Sequence, residues 1–428
     1  MNYLDSLYWI HERNKFGIKP GTKRMEWMLE RLGHPEQNIK GIHVGGTNGK
    51  GSTVAYLRAA LVENGYDVGT FTSPYIETFN ERISLNGMPV SDDVIVDLVA
   101  RVKPISEEME AETEYGTATE YGTATEFEII TTMMFLYFGA IRPVDFVIVE
   151  AGLGIKNDST NVFSPILTIL TSIGLDHTDL LGSTYLDIAK DKGDIIKADT
   201  PFVYSVKEDD ALKYLSEYAE KQQAPAYELD KDISVVSEED EFTYRFKDYE
   251  LENIALHMLG EHQKENAALA ITALIVMFEA GQIQLDFNKM IKAMEEVSWT
   301  GRIEEVKEKP LMIIDGAHNN ESIDALVSTI QNYYHKDKVD ILFSAVSGKP
   351  IHHMLEDLGQ IADHVYITDF DFYRAKPKEE IANEAEHFDP ILIDDYVDFV
   401  ENYEGDTLVI TGSLYFISEV KAKVNFEA

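Results

Sequence analysis

A glycine-rich loop between an apolar strand and a helix constrains this chain more than any other feature. Residues 39–44 are a short apolar run, Gly45-Gly46-Thr47-Asn48-Gly49-Lys50-Gly51-Ser52-Thr53 follows, and residues 54–64 place their apolar side chains at helical spacing. Successive backbone N–H groups in such a turn, ahead of a helix N-terminus, form a concave anion site, and Lys50 adds a positive charge for the outer phosphates of a nucleotide. An ordinary strand-to-helix turn also uses glycine, but the strand before and the helix after are the context that a phosphate loop requires. The spelling departs from G-x-x-x-x-G-K-[ST], because Gly51 separates Lys50 from Ser52.

The rest of the chain alternates in the same way. Gly65 closes the helix, and strands are expected at 66–72, 144–149, 166–173 and 202–206, with a helix over 128–138. Such alternation means a mostly parallel, doubly wound α/β sheet. Residues 227–256 change to short, charged, β-like pieces, read as a small antiparallel addition. A helix over 263–279 follows, with Ala267, Ala270, Ile271 and Leu274 on one face. A second α/β series then runs through strand 311–314, helix 322–334, strand 339–346, helix 351–361 and strands 365–369 and 407–411. The expected division is a phosphate-loop domain, 1–297, and a smaller Rossmann-like α/β domain, 298–428. The hexapeptide Glu114-Tyr115-Gly116-Thr117-Ala118-Thr119 is repeated immediately as 120–125; two copies are too few for a solenoid and read as a surface-loop duplication.

Charge and composition remove whole classes of function. Against 76 acidic residues stand 37 lysines and arginines, a net of −39, so nucleic acid is not the expected partner. No run approaches the ~20 apolar residues that cross a bilayer, and the first residues lack the layout of a signal peptide, so a cytoplasmic protein without membrane contact is expected. Zero cysteines exclude disulfides and thiolate metal sites, leaving oxygen and imidazole as metal ligands.

A hydroxyl on a phosphate loop needs a carboxylate to complete a Mg²⁺ shell. Glu150 stands at the C-terminal end of strand 144–149, where ligands of parallel sheets collect; otherwise it is a solvated strand-end acid. His177, after strand 166–173, reaches the same edge and is either a loop histidine or a ligand of a second metal. Asp315-Gly316-Ala317-His318-Asn319 leaves strand 311–314 in the same manner, as a turn or as a second wall facing a nucleotide. Arg302 is a surface cation or a phosphate clamp.

Taken in order, GTNGKGST, TSPY, FNERI, FE, EAGLG, DSTN, SIGLDHTDLLG, IAKDKGDIIK, GEHQKENAALA, WTGRIEE, DGAHN and ITGSLY resemble the folylpolyglutamate synthases, often also dihydrofolate synthases in bacteria, of the Mur ligase superfamily, over about residues 41–415. The resemblance implies ATP-dependent addition of L-glutamate to the γ-carboxylate of a folate, or to dihydropteroate, through an acyl phosphate, by a monomer. It implies that Thr47, Asn48, Gly49, Lys50, Gly51, Ser52 and Thr53 hold ATP with Asn266, Arg302, Asp315 and His318. It places a first Mg²⁺ on Ser52 and Glu150 and a second on Glu150, His177 and Lys192, the last carrying a carbamate. Lys50, Lys192 and His318 take the catalytic roles, and Ser73 and Asp158 lie by the substrate.

Departures occur where Ile155-Lys156-Asn157 follow the GLG turn, where Gly193-Asp194 follow Lys192, and where Lys349-Pro350 replace a Lys-Asp pair. Two alternatives are another Mur-type amide ligase and a silent nucleotide-binding regulator. The stretches TSPYIETFNERI and IAKDKGDIIK argue against the first, and retention of Glu150, His177, Arg302, Asp315 and His318 argues against the second.

Overall fold

The computed structural model describes residues 1–17, 19–114, 122–238, 240–336, 338–349, 351–385 and 388–426. Most of the duplicated hexapeptide, 115–121, lies outside them. Eight strands form the first sheet: β1 (Gly41–Gly45), β2 (Val68–Phe71), β3 (Ile83–Leu85), β4 (Met88–Pro89), β5 (Phe146–Glu150), β6 (Leu167–Leu170), β7 (Phe202–Tyr204) and β8 (Ala226–Glu228). Their order is β4-β3-β2-β5-β1-β6-β7-β8, parallel from β2 to β8, with the hairpin β3–β4 antiparallel at one edge. Strands β5, β1 and β6 are thus neighbours, and the three loops that leave their C-terminal ends lie side by side.

Alternation along the strands divides the core between the two faces. Ile42, Val44 and Ile148 join the phosphate-loop helix Lys50–Glu63 and the apolar helix Glu261–Glu279 in one cluster. Val147 and Val149 point the other way, into helices Tyr3–His11, Lys23–Arg31, Asp92–Glu114 and Glu126–Leu136. A three-stranded antiparallel sheet, β9 (Ile233–Glu238), β10 (Glu241–Phe246) and β11 (Tyr249–Ala255), covers the first cluster with Phe242, Tyr244 and Phe246.

The second sheet contains β12 (Glu304–Glu308), β13 (Leu311–Ile314), β14 (Val339–Phe343), β15 (Ala362–Thr368), β16 (Ile391–Ile393) and β17 (Thr407–Thr411), in the order β12-β13-β17-β14-β15-β16. All are parallel except the edge strand β12. Ile313, Ile341 and Val409 face one apolar layer, and Met312, Leu342 and Ile410 the other.

The expected α/β architecture and its antiparallel addition are present. Boundaries move where caps decide them: the phosphate-loop helix begins at Lys50 rather than at 54, because Gly49 takes a left-handed φ of 86° and starts the helix directly behind it. The sequence reading did not include the charged edge strand β12, whose EEVKE carries a single apolar side chain, nor the N-terminal helices.

A nucleotide cleft between two sheet edges

Residues 46–53 wrap the end of β1. A Cβ on Gly49 would collide with the Asn266 side-chain oxygen, so Asn266, on the helix Glu261–Glu279, closes directly over the loop. The Asn48 N–H donates to Ser172 Oγ at 2.9 Å, tying the loop to the end of β6. Lys50 Nζ donates to the carbonyls of Gly46 and Thr47, both at 3.1 Å. Ser52 is buried and its Oγ accepts from Gln263 Nε2 at 3.2 Å, while Asn266 Nδ2 donates to Gln263 Oε1 at 3.3 Å. The buried Thr53 hydroxyl has no hydrogen-bond partner.

Glu150, at the end of β5, is buried and accepts the Ser73 N–H at 3.0 Å, which holds the loop after β2 against it. Burial pushes its carboxyl up, opposed by the charge of Lys50, so a cation beside it would be strongly favoured. His177 has a left-handed φ of 52°, stands exposed at the N-cap position of the short helix Thr178–Leu181, and has its pKa lowered by partial desolvation. Lys192, the last residue of helix Tyr185–Lys192, is buried rather than on the surface, and its Nζ donates to the Gly46 carbonyl at 3.0 Å. Desolvation, then the Lys50 charge, pulls its ammonium down to about 7.

Asp158 is buried with its capacity used internally: it accepts from the N–H groups of Gly152, Leu153 and Thr160 and from the Thr160 hydroxyl. It therefore shapes the GLG turn beside Glu150. Behind it, His43 Nε2 lies 2.9 Å from Thr160 Oγ1; with the Thr160 proton given to Asp158, His43 donates from Nε2.

The opposite wall comes from the second sheet. Asp315, after β13, accepts the N–H groups of Ile303 and Ala317 at 2.9 and 2.8 Å, and so shapes the turn that carries His318. His318 donates Nδ1–H to the Gly316 carbonyl at 2.7 Å; burial and the neighbouring Lys349 charge lower its pKa to about 3, leaving Nε2 a free acceptor. Arg302, whose guanidinium donates to the Gly301 carbonyl at 3.1 Å, borders two cavities: a large one of about 450 Å³ that contains Lys50, Glu150, Lys192 and Ser73, and one of about 280 Å³ with Asn266, His262 and Asp315.

Several cross-cleft contacts were not marked by the sequence reading. Asn48 and Asn319 exchange side-chain hydrogen bonds at 3.0 and 3.1 Å, and Lys349 Nζ donates to Asp176 Oδ2 at 3.2 Å. Against desolvation, the Lys349 ammonium holds the Asp176 carboxyl well below its usual range. Only the spacing between strand ends could have pointed to them. The large cavity is lined by eight lysines and arginines against five carboxylates, the reverse of the −39 balance of the chain.

Residues 103–274 match the Mur ligase middle domain, and residues 301–414 the Mur ligase glutamate ligase domain. A dihydrofolate synthase/folylpolyglutamate synthase of Bacillus subtilis is 42% identical, over 99% of this chain and 99% of that protein. The chain belongs to the folylpolyglutamate synthase family of Mur ligases. A folylpolyglutamate synthase of Lacticaseibacillus casei is 31% identical over 98% of both chains. Among solved members of the family, the Mycobacterium tuberculosis synthase complexed with ADP superposes with a TM-score of 0.88 at 26% identity, covering 98% of each chain. The Thermotoga maritima synthase superposes with 0.84 at 30% identity, covering 99% of this chain and 98% of its own. A complex of a folylpolyglutamate synthase with AMPPCP and folate superposes with 0.82 at 29% identity, covering 98% and 99%. No described helix is long and apolar enough to cross a membrane.

Proposed function

We propose that this chain is an ATP-dependent ligase that joins L-glutamate to the γ-carboxylate of a folate, and that it also accepts dihydropteroate. The observation that carries the reading is the convergence of the phosphate loop, Glu150, Lys192 and His318 on one cleft, in a chain matched over nearly its whole length by a dihydrofolate synthase/folylpolyglutamate synthase. An acceptor carboxylate oxygen attacks the γ-phosphorus of ATP, the bond to the bridging oxygen breaks, and ADP leaves. The glutamate amine then attacks the acyl carbon and displaces phosphate.

In this reading Thr47 to Thr53 cradle the phosphates, Lys50 exchanging its loop carbonyls for phosphate oxygens. Asn266, Arg302 and Asp315 border the nucleotide from the far side, and Ser73 and Asp158 shape the acceptor site. Neutral His318 accepts a hydrogen bond at Nε2 from the attacking amine and orients it. Among the described residues no three histidines, aspartates or glutamates gather into a metal-binding group. That suits Mg²⁺, which needs few protein ligands and takes most of its oxygens from phosphate and water. Ser52 and Glu150 would hold a first ion, and Glu150, His177 and Lys192 as its carbamate would hold a second. When bound, Mg²⁺ neutralises charge on the phosphate oxygens. The reading includes two domains, 1–297 and 298–428, in a monomeric cytoplasmic protein.

The test is phosphate release with ATP, Mg²⁺ and L-glutamate, comparing dihydropteroate, dihydrofolate and reduced folates as acceptors. Stimulation by an acceptor and a product bearing a new γ-glutamyl bond are expected. Absence of stimulation by every acceptor, or a bond to anything but glutamate, would sink the reading.

A further inference from the structure

We propose that Arg82 and Arg374, which border the large cavity from opposite sides of the cleft together with the Tyr415 ring, form a carboxylate-binding subsite for the glutamyl tail of the acceptor; the inference rests on the function proposed above. Arg82 ends the turn Phe79–Arg82, its guanidinium 5.2 Å from the Tyr75 ring centre. Glu126 pairs with it at 3.8 Å, an ion pair beyond hydrogen-bond reach, and its buried Nε has no hydrogen-bond partner. Arg374 follows β15 on the other side, exposed, its carbonyl accepting the Ser347 N–H at 2.7 Å. Among the described residues no carboxylate lies within ion-pair distance of it.

Tyr415 is fixed by stacking on Phe372, centroids 4.3 Å apart and planes within 16°. Its ring and both guanidiniums line the same cavity of about 450 Å³. Lys349, in the same cavity, is already engaged by Asp176, so its charge is spoken for. Arg374 without an ion pair among the described residues, and Arg82 with only the long contact to Glu126, leave room for an external anion in a −39 molecule. The planar fork of a guanidinium matches a carboxylate. Each glutamyl residue of a γ-linked tail offers one free α-carboxylate, and with its terminal γ-carboxylate at Lys50 and Glu150 the preceding residues run outward along the cavity wall. Incoming glutamate carries the same chemistry, and the measurement separates the two.

KM is measured for wild type, Arg374→Gln, Arg374→Lys and Arg82→Gln with folates bearing one and three glutamyl residues, and separately for L-glutamate and ATP. Arg374→Gln should raise KM for the triglutamate by about tenfold, the effect of one lost charge-assisted hydrogen bond, and for the monoglutamate by less. KM for glutamate and ATP should stay within about twofold, and Arg374→Lys should recover part of the loss by restoring charge without the fork. Arg374 is exposed, so its variants report on binding even where Arg82→Gln loses its fold. Equal shifts for both acceptors, or none, would overturn the proposal, and so would a rise confined to KM for glutamate, which would give the two arginines to the incoming amino acid. If wild type shows no folate-stimulated phosphate release, the functional reading itself fails; if it does and the variants do not shift, the subsite alone fails.

Discussion

Lys192 donates to the Gly46 carbonyl, and Lys50 donates to the same oxygen. A like charge at that range, added to burial, makes the ammonium costly and the neutral amine available near pH 7. Carbon dioxide adding to that amine, with loss of a proton, gives an anion where two cations now crowd one oxygen. Lys192→Ala is therefore expected to lose at least about a hundredfold in kcat, with partial rescue by formate or acetate; the assay is phosphate release in bicarbonate-depleted and replenished buffer. Activity indifferent to bicarbonate would remove the carbamate. Lys50→Ala should abolish turnover with an unchanged melting temperature, checked by calorimetry beside the same assay. His43 presents the opposite case of a residue the sequence could not mark: a histidine in a short apolar strand, wholly buried and lowered from 6.5 to about 3. Its folded pKa is depressed, so the unfolded chain takes the proton first, and stability present above pH 6.5 is lost as pH falls toward 3. Replacing His43 by Gln should flatten the fall in unfolding free energy from urea titrations between pH 6.5 and 4 by up to about 1.4 kcal/mol per pH unit, the worth of one proton.

Elements were legible where one periodicity ruled them. The strand–loop–helix unit at the phosphate loop, the apolar helix Glu261–Glu279 and strands β13 and β17 could be placed from pattern alone, because each is apolar on the faces that its sheet buries. Strand β12 was not, since an antiparallel edge needs no apolar run. Site positions followed strand ends, which is why Glu150, His177 and Asp315 stood out; Arg82 and Lys349 appeared only inside FNERI and a Lys-Pro pair, and their partners, set by how the two sheets meet, have no local signal. The loop itself is fixed from both sides. Ala at position 49 would have to adopt a left-handed φ of 86° and displace Asn266, so Gly49→Ala should cost about 1–2 kcal/mol in urea unfolding and depress turnover further.

Across the whole molecule, the cleft is joined by Asn48 with Asn319 and by Asp176 with Lys349, pairs that span the two sheet edges. Lys349→Met leaves the half-buried Asp176 short of a counter-charge and should favour opening, seen as a larger radius of gyration in solution scattering with ATP analogue and folate present. An unchanged radius would show that the amide pair alone holds the closed form. The acidic exterior and the cationic cavity also act over different ranges. At 0.01 M salt the screening length is about 30 Å, so a tetra-anionic folate meets the repulsion of the shell long before it reaches the guanidiniums; at 0.15 M, with about 8 Å, the shell fades while the short, partly desolvated contacts persist. Moderate salt should therefore speed capture of long-tailed acceptors more than short-tailed ones, the reverse of ordinary attraction between protein and anion, and each glutamate added would make the product slower to return once it has left.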